Sequence, residues 1–207
     1  MVDELGDTIV SYKIGLQLLP LGGAEFGQRL KAQGKNVFYD FKLHDIDATV
    51  EKATRSISTL GADFLTVHAR PDVMAAAAKG KGNSGLKVLG VTVLTSLDQQ
   101  ALDDIGYCMS AEELVMRRVA QAIEAGIDGV VSSPLEAREI RNQVPSDFLI
   151  VTPGVRLAGA DKGDQKRVST PGDAIGAGAS HIVVGRPITQ ADNPRVAAIN
   201  ITKNMQT

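Results

Sequence analysis

The chain has 207 residues, with 22 Lys+Arg against 24 Asp+Glu, a net charge of −2 and a hydrophobic fraction of 43%. This describes one compact soluble domain spanning 1–207, and the balance lacks the basic surplus that binding a phosphate backbone demands, which argues against a dedicated nucleic-acid protein. The single Cys108 cannot close an internal disulfide or build a multi-cysteine zinc site, no apolar run is long enough to span a bilayer, and the acidic stretch Met1 to Asp7 has neither the basic nor the apolar part of a secretory signal, so the expected location is the cytoplasm.

In chain order, Glu4-Leu5-Gly6-Asp7 reads as the end of a helix. Short apolar, β-branched runs then predict strands over 9–15, 36–43, 64–69, 87–95, 129–133, 148–155 and 182–185. Between them, Val50, Ala53, Ile57 and Leu60, and later Leu114, Val115, Val119, Ala122 and Ile123, recur at helical spacing and predict helices with one core-facing stripe. The alanine run 75–78 reads as a closely packed helix. Glycines 61, 126 and 178 stand where a left-handed cap ends a helix and returns the chain to the next strand. This alternation is an α/β pattern, either a barrel or a doubly wound sheet. A (β/α)8 barrel uses about 250 residues, with roughly 200 as its floor. Seven predicted strands are one fewer than closure requires, so the first βα unit is expected to be wanting or the sheet is not a closed eight-strand barrel.

The densest charged cluster in an apolar setting is Asp40-Phe41-Lys42-Leu43-His44-Asp45, at the carboxyl end of the second predicted strand. Residues two apart on a strand share a face, so Asp40 and Lys42 are expected to point the same way, with Asp45 following as the strand ends. An embedded lysine needs flanking carboxylates to stay ammonium. The triplet is either a catalytic array or a structural ion pair. Lys13, in Tyr12-Lys13-Ile14-Gly15, is a second embedded cation, an ion-pair partner or a substrate contact.

A second constellation lies near the carboxyl end of the chain: Pro153-Gly154-Val155-Arg156, Asp164-Gln165-Lys166-Arg167 and Val184-Gly185-Arg186-Pro187-Ile188. Glycine permits close backbone approach and arginine offers a planar fork of donors, a combination suited to phosphate, although turn glycines and solvated arginines would read the same. No dinucleotide or nucleoside-triphosphate fingerprint is present, so a phosphorylated metabolite is the expected ligand. Thr92-Val93-Leu94-Thr95-Ser96 ends a predicted strand with hydroxyls that could hold a polar ring or simply form a turn. His44, His68 and His181 show no metal-ligand spacing, and His68 reads as a satisfied strand-end histidine.

Together with Val91 to Ser96, Gly126-Ile127-Asp128-Gly129-Val130-Val131 and Thr152 to Arg156, these motifs resemble, in order and spacing, the orotidine 5′-phosphate decarboxylase family. The resemblance implies a (β/α)8 TIM-barrel homodimer that converts orotidine 5′-monophosphate to uridine 5′-monophosphate and carbon dioxide, the last step of de novo UMP synthesis, without metal or organic cofactor. It implies Lys42 as proton donor to C6 of the pyrimidine between Asp40 and Asp45, the latter completing the neighbouring subunit's site together with Thr49. It further assigns Thr95 and Ser96 to the pyrimidine edge, Lys13 to the ribose region, Gln165 and Arg186 with Gly185 to the phosphate, and Arg156 to the closing loop or the phosphate.

The chain departs from the family pattern in three places: Asp47 follows Ile46 where proline is common, Arg70-Pro71-Asp72 stands where many members carry paired glycines, and the strand bearing a ribose-binding aspartate is absent. A magnesium-dependent relative, 3-keto-L-gulonate 6-phosphate decarboxylase, shares the Asp-x-Lys-x-x-Asp arrangement. Leu43-His44-Asp45-Ile46, Leu94-Thr95-Ser96 and Asp164 to Arg167 favour the nucleotide enzyme. A noncatalytic nucleotide-binding remnant is the third reading, against which the intact Asp40, Lys42, Asp45 and Arg186 stand.

Overall fold

The computed structural model describes residues 1–159 and 169–206. In chain order the elements are α1 (Val2–Leu5), β1 (Ser11–Gly15), α2 (Gly23–Ala32), β2 (Asn36–Leu43), α3 (Asp47–Thr59), β3 (Phe64–His68), α4 (Pro71–Lys81), β4 (Lys87–Val91), α5 (Gln99–Asp104), α6 (Ala111–Glu124), β5 (Gly129–Val131), α7 (Ala137–Gln143), β6 (Leu149–Thr152), α8 (Pro171–Gly176), β7 (His181–Ile182), α9 (Arg186–Thr189) and α10 (Pro194–Asn204). Among the described residues the seven strands follow chain order. β1 with β2, β2 with β3, β3 with β4, and β6 with β7 pair in parallel, so each connection must cross back, and helices make the crossings. No helix among the described residues is long and apolar enough to cross a membrane.

The chain divides into two compact units, one of Val10–Val91 and Arg118–Val130, the other of Met1–Ile9, Thr92–Arg117 and Val131–Thr207. In the first, β2 alternates as a pleated strand should. Val37, Tyr39 and Phe41 are buried, and the Tyr39 hydroxyl donates to the Ala24 carbonyl at 3.1 Å. Gly27 of α2 leaves the space this ring needs, because a Cβ there would stand 2.0 Å from the Tyr39 oxygen. α4 packs on α3 through small residues: a Cβ at Gly80 would meet the Glu51 carbonyl at 2.4 Å, and Ala76 and Ala77 are buried beside it. The alanine run is thus a packing surface. In the second unit Leu5, Ile188, Ala198 and Ile201 are buried, and Asn204 of α10 accepts the Gly172 N–H of α8 at 3.1 Å.

The three glycines expected to end helices all adopt positive φ, 73° at Gly61, 70° at Gly126 and 100° at Gly178. Two residues beyond each, the same fastening recurs. Asp63 donates its N–H to the Val37 carbonyl (2.9 Å) and accepts the Val37 N–H on its carboxylate (2.7 Å). Asp128 does this with Val88, at 3.0 Å and 2.8 Å, and Ser180 makes the same pair of bonds with Ile150 through its N–H and its hydroxyl oxygen, at 2.8 Å and 3.1 Å. Each joint therefore ties the start of a strand to the start of the strand before it by backbone and side chain together. Cations complete the joints: Lys31 on Asp63 at 2.8 Å, Lys81 and Lys87 on Asp128 at 2.5 and 3.3 Å, and Arg141 on Ser180 at 3.2 Å.

Several strands are shorter than their apolar runs. β4 ends at Val91 rather than at 95; just beyond it the buried Thr92 directs both its N–H and its hydroxyl to the Val131 carbonyl, each at 3.0 Å, with Ser132 Oγ 2.9 Å from the hydroxyl. β6 ends at Thr152, where Pro153 and the positive-φ Gly154 redirect the chain.

Candidate active site

β2 does not remain regular to its end. Tyr39 is level with Leu65 of β3 and Leu43 with Val67, so Asp40, Phe41 and Lys42 stand opposite the single Thr66. Such a bulge re-aims side chains. Within it Lys42 has φ 48°, the only positive φ on a non-glycine among the described residues, at a cost of about 1 kcal/mol for an L-residue. Asp40 and Lys42 do share a face as expected, by way of a bulge instead of a uniform pleat.

The side chains meet in a compact array. Lys42 Nζ donates to Asp40 Oδ1 at 2.7 Å, and Lys13 Nζ lies 2.9 Å from Asp40 Oδ2. Gly15 is level with Asp40 in the β1–β2 register and presents no side chain, which leaves that flank of Asp40 to Lys13. Thr66 Oγ1 donates to Asp40 Oδ1 at 2.9 Å and accepts the Lys42 N–H at 3.0 Å. Burial opposes ionisation of Asp40, but the charge of Lys13 and hydrogen bonds from Lys42 and Lys13 outweigh it and hold the carboxyl below its ordinary value. Two ammonium groups thus face one carboxylate. The surplus positive charge suits an anionic ligand or a carbanion developing beside it, and an ammonium so placed can also deliver a proton. Lys13 occupies an ion pair, one of the two roles open to it from the sequence.

Residues 44–49, which follow the array, are all exposed, including Ile46 at 70% and Thr49. Asp45 accepts the N–H of its neighbour Ile46 at 2.7 Å and forms no ion pair with Lys42. The expected Asp40-Lys42-Asp45 triplet is therefore not assembled within one chain. His44 stacks on His68 with ring centroids 4.6 Å apart, and His44 Nε2 lies 3.0 Å from Arg70 Nη1. Arg70 also clasps Asp72 through two nitrogens. That contact holds the Asp72 carboxyl down at about 2. Asp47 adds to the field that keeps Arg70 charged. Two stretches that depart from the family pattern, Asp47 and Arg70 to Asp72, thus interact with each other beside the loop carrying Asp45. Burial, then His44, Arg118 and Lys42, push the His68 pKa below its ordinary value.

The other expected residues lie in the second unit. Thr95 is buried and Ser96 exposed, in a turn where the Leu97 N–H donates to the Leu94 carbonyl at 3.0 Å. Arg156 is held by backbone and side chain: its N–H donates to the Ser169 carbonyl (2.9 Å), its guanidinium to the Val155 carbonyl (2.8 Å), and Val155 bridges Ser169. Gly185 and Arg186 are exposed at the start of α9. Gln165, with Asp164, Lys166 and Arg167, lies outside the described residues. An open groove of about 700 Å³ in this unit, lined by residues including Arg138, Thr170, Asp173 and Asn204, contains none of the residues named from the sequence.

Thr66 is the residue that sequence reading passed over. Its signal was a hydroxyl inside the apolar run Phe64-Leu65-Thr66-Val67, two positions before His68 and hence on the same face. β-branched threonine is also an ordinary strand former, which hides that signal.

Comparison with known proteins agrees across the chain. The family model described as "Orotidine 5'-phosphate decarboxylase / HUMPS family" matches residues 1–201. Proteins named orotidine 5′-phosphate decarboxylase from Caulobacter sp. (strain K31) and Methylorubrum extorquens (strain PA1) are 56% and 53% identical, over 99% and 100% of this chain and 90% and 88% of theirs. Among solved structures, orotidine 5′-phosphate decarboxylase from Lactobacillus acidophilus aligns with a TM-score of 0.82 and 35% identity, covering 94% of this chain and 86% of that one. The enzyme of that name from Pyrococcus horikoshii OT3 aligns with a TM-score of 0.77 and 28% identity, over 99% and 90%. The expected α/β fold of the TIM-barrel type stands, with seven strands among the described residues.

Proposed function

From the chain's membership of the orotidine 5′-phosphate decarboxylase / HUMPS family, we propose that it decarboxylates orotidine 5′-monophosphate to uridine 5′-monophosphate, with Lys42 as the proton donor. The observation that carries this reading is the array in which Asp40 is held between Lys42 and Lys13 at 2.7 and 2.9 Å. When the bond from C6 to the carboxylate breaks, carbon dioxide leaves and the electron pair stays on C6. The pair has little delocalisation, so an ammonium fixed beside it supplies electrostatic stabilisation and then the proton. Lys42 is left as the amine and regains its proton from solvent. No cofactor takes part in these steps.

Asp45 and Thr49 complete the site of a second copy of the chain. The exposed loop 44–49 with its outward Ile46, and an array with one cation in excess, support a homodimer in which the partner's carboxylate balances the charge. Thr95 and Ser96 hold the pyrimidine edge, Lys13 the ribose region besides Asp40, and Gln165, Arg186 and Gly185 the phosphate, with Arg156 ordering the closing loop or joining the phosphate contacts. Phosphate binding supplies energy remote from C6, which can be spent on assembling the charged array. The protein works as a single-domain cytoplasmic enzyme of pyrimidine synthesis.

The test is the absorbance of orotidine 5′-monophosphate on adding pure protein. The expected result is its loss, unaffected by EDTA and abolished by Lys42→Ala. Binding of uridine 5′-monophosphate without turnover would instead make this a noncatalytic binder, and loss of turnover on chelation would transfer the reading to a metal-dependent decarboxylase.

A further inference from the structure

We infer that Thr66 is a positioning residue of this site: its hydroxyl couples the strained backbone of Lys42 to the Asp40 carboxylate and so fixes where the Lys42 ammonium stands. The inference rests on the function proposed above for the array.

Thr66 is fully buried, at 0% exposure, in the middle of β3. A buried hydroxyl must be satisfied, and this one is used in both directions. It donates its proton to Asp40 Oδ1 (2.9 Å), the oxygen that also receives Lys42 Nζ (2.7 Å), and it accepts the Lys42 N–H (3.0 Å). That N–H belongs to the residue with φ 48°, inside the bulge where three residues of β2 face Thr66 alone. A side chain in place of a backbone carbonyl thus satisfies a donor that the bulge takes out of the regular ladder. One hydroxyl therefore touches Lys42 through its backbone and, through Asp40, its ammonium.

Isosteric replacement separates this role from packing. Thr66→Val keeps the shape and the β-branch but leaves the Lys42 N–H without its acceptor and Asp40 Oδ1 with one donor fewer. A displaced catalytic group costs on the order of 100-fold in rate. The expected result for Thr66→Val is a fall in kcat of about 10- to 100-fold, with KM for orotidine 5′-monophosphate within about threefold of wild type, as for a group whose placement matters in the transition state and not in binding. Thr66→Ser, which keeps the hydroxyl and loses the methyl, is expected to recover most of kcat. Thr66→Val with kcat within threefold of wild type, or Thr66→Ser as impaired as Thr66→Val, overturns the inference.

If Thr66→Val does not fold, Thr66→Cys takes its place, since a thiol is a poor donor of similar size; activity equal to that of Thr66→Ser would then overturn it. A readout independent of turnover is the titration of the Asp40 carboxyl followed by carbon-13 NMR. Removing a hydrogen bond to the charged form raises the pKa, so Asp40 should titrate higher in the valine or cysteine variant than in wild type, and an unchanged titration overturns the coupling. Wild-type protein that fails to turn over orotidine 5′-monophosphate defeats the functional reading alone, because the NMR comparison still decides what Thr66 does.

Discussion

The two ends of the strands in the first unit use the same chemical groups for opposite purposes. At the amino ends, Asp63 and Asp128 each accept a backbone N–H and at least one lysine, so the carboxylate finishes hydrogen bonds that the ladder needs. At the carboxyl end Asp40 accepts two lysines and a threonine hydroxyl, and the backbone nearby is bent out of register. A carboxylate that closes a ladder stabilises the fold. One that holds two ammonium groups together concentrates charge, which is useful when a substrate must meet that charge and otherwise a burden. Aspartate beside lysine is therefore ambiguous in sequence, and what the carboxylate does for the backbone resolves it.

Five substitutions or titrations test that division, taken from the largest expected effect. Lys42→Ala should lower turnover of orotidine 5′-monophosphate by about 10⁴-fold or more, since it removes both a proton donor and an electrostatic group. Its melting temperature should change little, because Asp40 keeps its ion pair with Lys13. A large loss of stability with activity retained would erase the distinction between the two ends. Asp128→Ala should do the reverse. It leaves the Val88 N–H and two lysines unanswered and should cost about 2–3 kcal/mol, a fall of roughly 5–10 °C in melting temperature, with kcat preserved below the transition. Asp63→Ala should follow in the same direction at about 1–2 kcal/mol, since Asp63 is 30% exposed against 14% for Asp128 and the more exposed pair gains less. Equal losses would show that the backbone bond, common to both, accounts for the whole effect.

The smallest effects concern pH. The Asp40 pKa is lowered from 3.8 by its two lysines against the opposing effect of burial. Its contribution is complete above 3.8 and is lost as pH falls through the lower folded value. Thermal melts of wild type against Asp40→Asn should keep a constant difference from neutral pH down to about 4, then converge. His68, lowered from 6.5 by burial first and by His44, Arg118 and Lys42 besides, follows the same sign at higher pH. Wild type should lose stability relative to His68→Gln as pH drops below 6.5 and the unfolded chain takes up a proton first. A gain on acidification would mean that the ring is charged in the fold.

Much of this molecule was legible because its elements repeat a simple pattern. β2 was read to its observed bounds, 36–43, since a long apolar run beside a charged cluster leaves few alternatives. The three glycine joints were visible as spacing, and the positive φ values agree. What spacing did not reveal was that Asp63, Asp128 and Ser180, two residues on, complete each joint, because a polar residue before a strand resembles any loop residue. Strand ends were read too long where the backbone turns away, as at Pro153 and the positive-φ Gly154. In the site, Asp40 and Lys42 were found from charge in an apolar run, whereas the bulge that sets their geometry depends on register against β3. Periodicity within β2 fixes which residues share a face but not which residue of β3 each one stands opposite. Thr66 was hidden for the same reason, being meaningful only opposite that bulge.

The left-handed backbone at Lys42 has an evolutionary consequence. Glycine or asparagine adopts φ near 50° more readily than lysine does, and loss of the ammonium would leave Asp40 in a neutral pair with Lys13. Selection for folding alone would therefore drive this position away from lysine, and a screen that rewards solubility or heat resistance without assaying turnover is expected to enrich such variants. Lysine persists here only while its chemistry is used, so this one position records whether a lineage still depends on the reaction.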